Sequence, residues 1–205
     1  ADLAEMLRTL AHHCSSTALA FSMHTHQVAI PAWRWQVQKT AAVEPLLKRI
    51  AAERLIVLSS GGSDWISGSG HAERVAGGWR ISGRKVFTSA APAGDLLMTG
   101  AVAQEEGEEP VVLHFAIPMS SPQVRVDPVW KALGMRSTGS HDVMIEGHVV
   151  PDAGVALKRK AGEWHPLFHI IDQVRGFTFI NYNPHHTSWE YPVYVSLAVA
   201  MIGMM

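Results

Sequence analysis

The stretch HAERVAGGWRISGRKVFTSAAP, residues 71–92, is the most informative part of this sequence. It contains two strand-like runs on either side of a Gly-Gly pair at 77–78, which is typical of a tight hairpin turn. Val75 precedes the turn, and Trp79 and Ile81 follow it on alternate positions. Alternate positions of a strand place side chains on one face. The stretch therefore predicts a β-hairpin.

Further strand-like runs surround this hairpin. Each is short, apolar and bounded by turn residues, and they are LIVLSS, GDLLMTGAVA, VVLHFAIPM, VRVDPVW and HDVMIEGHVVPD. Several short strands with turn signals at close intervals are typical of an antiparallel barrel or sandwich. We therefore predict a middle β-domain over residues 53–157.

Residues 1–52 have a helical pattern instead, because apolar residues recur there at spacings of three and four. The run HHCSSTALA predicts a break between two helices, with Ser15 or Ser16 as the next N-cap. Pro31 predicts an irregularity or a new start, and Pro45 fits the first turn of a third helix. The predicted fold class is therefore α+β, with an N-terminal helical domain before the β-domain.

Composition limits the functional classes. The 205 residues carry a formal net charge of −1 with scattered Lys and Arg, which argues against a nucleic-acid surface. A single cysteine, Cys14, excludes an internal disulfide and favours a reducing compartment. The apolar stretches are shorter than the roughly 20 residues that span a bilayer. We therefore expect a cytoplasmic protein without nucleic-acid or membrane partners.

The order of four motifs resembles the acyl-CoA dehydrogenase flavoprotein superfamily. The motifs are STALAFSMHTHQVA, VLSSGGSD, GGWRISGRKVFTSAAPAGDLLMTGAV and LGMRSTGSHDVMIEGHVVPD. The TGSHDV form and the Ser-Ser-Gly-Gly loop are closer to its monooxygenase-like branch. The resemblance implies FAD as the cofactor and a homo-oligomer, either a dimer or a tetramer. After Ile171 the sequence departs from the family, so residues 158–205 are expected to hold only the start of the C-terminal helical region.

Two reactions follow from this resemblance. The main expectation is α,β-dehydrogenation of an acyl-CoA thioester, in which a carboxylate removes the α-proton while a hydride passes to flavin N5. No residue of this sequence is identifiable as that carboxylate. The alternatives are a reduced-flavin-dependent monooxygenase acting on another small molecule, and a truncated, non-catalytic binding module.

The resemblance assigns hairpin residues to the flavin. In the family, the residue two positions after the hairpin aromatic directs a hydroxyl at flavin N5, and that position is Ser89. Phe87 is the aromatic, which can pack on the flavin ring. Thr88 lies between them and is predicted to point to the opposite face. The alternative for all three residues is an ordinary core hairpin.

The Gly-rich loop supplies a second group of candidates. Ser59 and Ser60 end a strand, and the glycines after them let the main chain approach a flat ligand. The resemblance implies that both serines contact the flavin and that Ser63 contacts the acyl or pyrophosphate group. The alternative is a simple Gly-rich connection whose polar residues cap a turn.

The remaining candidates lie on other segments. The resemblance places one of His24 and His26 near the reactive edge of the flavin, where an imidazole can relay a proton; the alternative is a partly buried structural histidine. Arg136, Thr138 and Ser140 are predicted to share one strand face, either in a buried polar network or in contact with FAD. The 12 histidines form no complete ligand set with Cys or carboxylates, so we predict no metal site.

Overall fold

The computed structural model describes residues 2–61, 64 and 68–162. Helices come first and strands follow, so the predicted α+β class is confirmed. The helices are α1 (Asp2–His13), α2 (Ser15–Gln36) and α3 (Glu44–Glu53). The strands are β1 (Val57–Ser59), β2 (His71–Val75), β3 (Gly78–Thr88), β4 (Leu96–Ala103), β5 (Val111–Pro118), β6 (Val124–Asp127), β7 (His141–Pro151) and β8 (Val155–Lys160).

The eight strands form one mostly antiparallel sheet. Its order is β6-β7-β3-β2-β4-β5-β8, and β1 pairs in parallel with β4 outside that path. The predicted hairpin is the β2–β3 pair, in which Val75 lies opposite Gly78. Strands β6 and β8 end the path, so the described strands form an open sheet and not a closed barrel.

The hydrophobic core is built mainly from the strands. Trp79, Leu97 and Phe115 are exposed by no more than 2% and belong to one buried cluster. Burial of each large apolar side chain contributes about 1.5–3 kcal/mol. The Trp79 ring is also covered by Arg74, 4.9 Å from the ring centroid, and by Lys158 at 5.5 Å. This packing brings side chains of β3, β4 and β5 into one core, with Arg74 of β2 and Lys158 of β8 over the Trp79 ring.

The helices depart from prediction at two points. The residue that caps α2 is Cys14, whose Sγ accepts a hydrogen bond from the backbone N–H of Thr17 at 3.5 Å. The prediction of Ser15 or Ser16 as the N-cap was therefore wrong, since both are already helical. Pro31 lies inside α2, so no new helix begins there.

The segment before β7 is not a strand. Arg136–Thr138 forms a 3-10 helix, and the residues on either side of it both have φ of 55°, in the left-handed region. The ladder with β3 starts only at His141. The prediction that Arg136, Thr138 and Ser140 share a strand face was therefore wrong, because these turns redirect the chain before pairing begins.

Strand β8 is the last described element and crosses the predicted boundary between residues 157 and 158. The division into domains at 52/53 and 157/158 stays a prediction. The expected start of a C-terminal helical region lies outside the described residues. No described helix combines the length and apolarity needed to cross a membrane.

Candidate functional site

The end of β3 carries an irregularity that shapes the site. Lys85 pairs with Val143 and Thr88 pairs with His141, so β3 has one residue more than β7 over this interval. In this bulge Phe87 has φ of 55° and its side chain is 62% exposed. A bulky residue rarely adopts such a conformation, which costs about 1–3 kcal/mol. The bulge therefore turns an aromatic ring out of the sheet.

Trp130 lies against the exposed ring of Phe87. The two ring centroids are 6.1 Å apart and the planes meet at 89°, an edge-to-face contact. Two hydrogen bonds hold Trp130: its backbone N–H donates to His141 Nδ1 at 3.0 Å and its Nε1–H donates to the carbonyl oxygen of Met135 at 3.1 Å. The partner of Phe87 is thus anchored to the start of β7.

Gly61 approaches the same bulge from the end of β1. Its N–H donates to the carbonyl oxygen of Val86 at 2.9 Å. A Cβ at this position would lie 2.8 Å from that oxygen and 3.6 Å from Phe87 Cβ. Only glycine permits this approach without a shift of the backbone. The Gly-rich loop and the hairpin, predicted as two separate candidate groups, therefore meet at Phe87.

Lys85, in β3, is fully buried. Its Nζ donates to Asp64 Oδ1 at 3.2 Å and to the carbonyl oxygens of Ser69 and Gly100, each at 2.5 Å. Asp64 is 2% exposed, and its Oδ2 accepts a hydrogen bond from Thr99 Oγ1 at 3.0 Å. Burial lowers the pKa of Lys85, and the nearby Asp64 carboxylate opposes that change. Opposite charge and full hydrogen bonding together offset the cost of burying both groups.

The hydroxyls of Ser59 and Ser60 are directed inward. Both residues are 4% exposed, and Ser59 Oγ donates to the carbonyl oxygen of Ser60 at 3.1 Å. Ser60 Oγ lies 2.9 Å from Thr99 Oγ1, whose own proton goes to Asp64. A hydroxyl has one proton, so Ser60 is the donor to Thr99. Both serine protons are therefore used within the protein, and the roles of these serines toward a flavin stay predictions.

Ser89 belongs to a buried cluster of three hydroxyls. Its Oγ lies 2.9 Å from Ser140 Oγ, which lies 2.7 Å from Thr138 Oγ1. Thr138 Oγ1 in turn donates to the carbonyl oxygen of Met135 at 3.0 Å. Arg136 is exposed and takes no part in this cluster. The structure therefore brings two of the three polar residues predicted before β7 to Ser89, but not Arg136.

Thr88 is fully buried, and its Oγ1 donates to the carbonyl oxygen of Lys85 at 3.4 Å. Ser89 is also buried, at 7% exposure. The exposed position of this segment is Phe87, because the bulge interrupts the alternation of faces on which the sequence analysis relied.

Helix α2 packs against β1 and against the 3-10 helix at 136–138. His24 Nδ1 accepts a hydrogen bond from the backbone N–H of Val57 at 3.0 Å. In contrast, His26 Nδ1 lies 3.2 Å from the carbonyl oxygen of Ser22 and its Nε2 lies 2.9 Å from Gln27 Nε2. A neutral His24 thus carries its proton on Nε2 and a neutral His26 on Nδ1. Burial lowers the pKa of His26.

These bonds fit the structural alternative for both histidines, and a catalytic role stays a prediction. Within the described part of the chain, no three His, Cys, Asp or Glu side chains are grouped so that they could hold a metal ion. Ser63 lies outside the described residues, so its role also stays a prediction.

Lys85 and Trp130 were not predicted as parts of the site, and Asp64 was considered only for capping a turn or, with Ser63, for contacting the acyl or pyrophosphate group. A signal for Lys85 was present, because it continues the alternation that Trp79 and Ile81 begin on the inner face of β3. Trp130 sits in a segment without regular structure, where no periodicity indicates a neighbour.

Residues 59–147 match the family model described as acyl-CoA dehydrogenase, middle domain. The pigment production hydroxylase of Rhodococcus sp. (strain ATCC 21145) is 28% identical over 149 residues, which are 73% of this chain. That match covers 35% of the hydroxylase, so this chain spans about a third of the length of that relative. The resemblance to the superfamily is confirmed.

Two solved structures agree with this assignment. A nitrososynthase from Micromonospora carbonacea var. africana has a TM-score of 0.71 at 26% identity, covering 82% of this chain and 44% of its own. KijD3, solved in complex with FMN and dTDP-3-amino-2,3,6-trideoxy-4-keto-3-methyl-D-glucose, has a TM-score of 0.69 at 25% identity, covering 82% of this chain and 42% of its own. The fold therefore occurs in a protein that binds FMN and a dTDP-linked sugar.

Proposed function

We propose that this chain, whose residues 59–147 match the acyl-CoA dehydrogenase middle domain, is part of a reduced-flavin-dependent monooxygenase. A hydroxylase and a nitrososynthase are among its relatives, which favours this alternative over the main expectation of acyl-CoA dehydrogenation. Because the chain covers less than half of each relative, the activity of the whole protein is a proposal here.

The exposed ring of Phe87 is the single observation that carries the proposal. A large aromatic side chain in a strained conformation, 62% exposed, is unfavourable for a protein that binds nothing at that point. Its neighbours are the backbone of Gly61 and the ring of Trp130, whose plane is perpendicular to that of Phe87. Aromatic faces beside accessible backbone suit a flat aromatic ligand such as the isoalloxazine ring of a flavin. When bound there, a flavin would supply the redox chemistry that activates oxygen.

Ser89 is the residue we propose at flavin N5, as the resemblance implies. Thr138 donates its one proton to the carbonyl oxygen of Met135, so Ser140 donates to Thr138 and Ser89 donates to Ser140. Ser89 Oγ therefore keeps lone pairs that can accept from a protonated nitrogen, and it can donate to an unprotonated nitrogen only by giving up its bond to Ser140. Such a group suits a cofactor that gains and loses a proton at one nitrogen.

We propose a flavin as the cofactor, with FAD as its specific form, and a small molecule as the substrate. A flavin is supported by the FMN in the solved KijD3 complex, and FAD is the form that the superfamily resemblance implies. The substrate is proposed to be a small molecule other than an acyl-CoA thioester. A cytoplasmic homo-oligomer, dimer or tetramer, remains our proposal for the assembly.

The test uses the full-length protein that contains this chain. Apoprotein is titrated with FAD and with FMN, oxidised and reduced, and binding is followed by flavin fluorescence. We expect reduced flavin to bind, and we expect Phe87→Ala to weaken its affinity about tenfold, which is about 1.4 kcal/mol. Val149→Ala is the matched control, because Val149 is a similarly exposed apolar residue at 51% exposure on β7.

A second measurement separates the two enzymes. Acyl-CoA thioesters are added to flavin-loaded protein without oxygen, and the visible spectrum is recorded. We expect no bleaching, and bleaching would restore acyl-CoA dehydrogenation as the function. Failure of every flavin to bind would instead favour the non-catalytic binding module.

A further inference from the structure

A closed circuit of hydrogen bonds joins the buried Lys85 to the exposed Phe87. Lys85 Nζ donates to Asp64, and the backbone N–H of Asp64 donates to the carbonyl oxygen of Gly61 at 3.1 Å. The N–H of Gly61 then donates to the carbonyl oxygen of Val86 at 2.9 Å. Val86 lies between Lys85 and Phe87 in β3, so the circuit returns to the strand at which it began.

A second branch fixes the same turn from β4. Thr99 Oγ1 donates to Asp64 Oδ2 at 3.0 Å and accepts the proton of Ser60 Oγ at 2.9 Å. All three residues are buried, with exposures of 4% or less. Asp64 therefore holds Ser60 through Thr99 and holds Gly61 through its own backbone, which leaves the turn little freedom.

Lys85 also binds the far end of the Gly-rich segment. Its Nζ donates to both the carbonyl oxygen and the Oγ of Ser69, and Ser69 Oγ donates to Asp64. Next to this contact the chain passes so closely over β3 that a Cβ on Gly83 would lie 2.6 Å from Gly70 Cα. One ammonium group thus bonds to two separate residues, Asp64 and Ser69, of the segment that joins β1 to β2.

We propose that Lys85 and Asp64 are positioning residues, which set the Ser60–Gly61 turn against the Phe87 bulge without touching the ligand. This inference rests on the proposed function, in which that edge receives a flavin. Stability alone does not account for the pair, because apolar residues of similar volume often replace a buried ion pair at no cost. Fully bonded polar networks do, however, restrict a structure to one arrangement.

The test compares two variants of the full-length protein that differ in charge balance. Lys85→Met leaves the Asp64 carboxylate buried without its partner. Lys85→Met combined with Asp64→Asn removes both charges and keeps an acceptor for Thr99. Urea unfolding reports stability, and titration with FAD and FMN reports affinity. Lys48→Met is the matched control, since Lys48 is an exposed lysine on α3.

We expect the double variant to regain most of the stability that the single variant loses, yet to bind flavin about tenfold more weakly than wild type. Wild-type affinity in the stable double variant would overturn the inference, because the pair would then serve stability alone. Thr99→Val is a milder variant that keeps the ion pair. It breaks the link between Asp64 and Ser60, and we expect it to weaken flavin binding several-fold without unfolding the protein.

A measurement without flavin keeps the inference separate from the proposed function. Amide hydrogen exchange at Gly61 reports its bond to Val86 directly. We expect faster exchange at Gly61 in the double variant than in wild type, with exchange in β5 unchanged. Unchanged exchange at Gly61 would overturn the inference even if flavin binds, and faster exchange in a protein that binds no flavin would overturn only the proposed function.

Discussion

Lys85 and Phe87 lie two residues apart in one strand, and their environments are the opposite of those usual for a charged and an aromatic residue. The charged side chain is fully buried and the aromatic side chain is 62% exposed. Burial of a charge and exposure of a large apolar ring both oppose stability. The two costs are offset differently: the Lys85 ammonium is hydrogen-bonded to buried protein groups, whereas the described neighbours of Phe87, Gly61 and Trp130, leave most of its side chain exposed. One strand can thus satisfy a charged side chain with internal partners and, two residues later, leave an aromatic side chain exposed.

The greatest loss of stability is expected from breaking the buried ion pair between Lys85 and Asp64. Asp64→Ala leaves Lys85 buried without a counter-charge, and we expect it to lower the free energy of unfolding by about 3–5 kcal/mol. Urea denaturation measures the change. Glu109→Gln is the control, because it removes an ion pair to Lys160 in which both side chains are exposed, and such pairs contribute little. Equal stability of the two variants would mean that Lys85 is not paired as described.

In the cluster of three hydroxyls, we expect loss of the central hydroxyl to lower stability more than loss of the terminal one. Ser140→Ala removes the partner of two buried hydroxyls at once, and we expect a loss of about 1–3 kcal/mol. Ser89→Ala leaves Ser140 bonded to Thr138, so we expect a loss of about 0.5–1.5 kcal/mol. Thermal unfolding of both variants gives the comparison. A larger loss for Ser89→Ala would contradict the central place of Ser140.

At the exposed residue, Phe87, we expect glycine to be more stable than alanine, which is the reverse of the usual order in a strand. Because φ at Phe87 is 55°, we expect Phe87→Gly to be more stable than Phe87→Ala by about 1 kcal/mol. At Val149, in the regular part of β7, glycine should be less stable than alanine by about 0.5–1 kcal/mol. The four variants are compared by urea denaturation, and the same order at both positions would show that Phe87 is not in a left-handed conformation.

The smallest effect is expected from pH. Burial holds the pKa of His26 below its ordinary value of 6.5, so the unfolded chain takes up the proton first as the pH falls. Stability from this residue is therefore present above pH 6.5, is lost as the pH falls below it, and stops changing once the folded pKa is passed. We expect unfolding free energy to fall less between about pH 7.5 and about pH 5.5 in His26→Gln than in wild type. An equal fall in the two proteins would show that His26 does not contribute to this pH dependence.

Much of the architecture followed from local patterns. The helical spacing before residue 53, the Gly-Gly hairpin and the short apolar runs predicted the helices and seven of the eight strands, because these signals lie within a few residues of one another. The order of motifs indicated the superfamily. The Gly-rich turn and the hairpin were both marked as cofactor candidates, and the structure places them side by side at Phe87.

The arrangement of polar groups did not follow from local patterns. Lys85 and Asp64 are 21 residues apart and Ser89 and Ser140 are 51 apart, so their partners depend on which strands pair. Arg136 was assigned to a strand because alternation was read across a segment that the structure folds as a 3-10 helix.

The sequence alone therefore settled the order and type of most elements, since periodicity expresses the free energy of burying one face of a helix or strand. Tertiary contacts decided which side chains near the end of β3 are buried and which are exposed. The extra residue between Lys85 and Thr88 leaves Phe87 exposed, although its position continues the alternation of Trp79, Ile81 and Lys85, and Gly61 bonds to the bulge from beyond the end of β1. A bulge has no period of its own, so it becomes visible only when both paired strands are known.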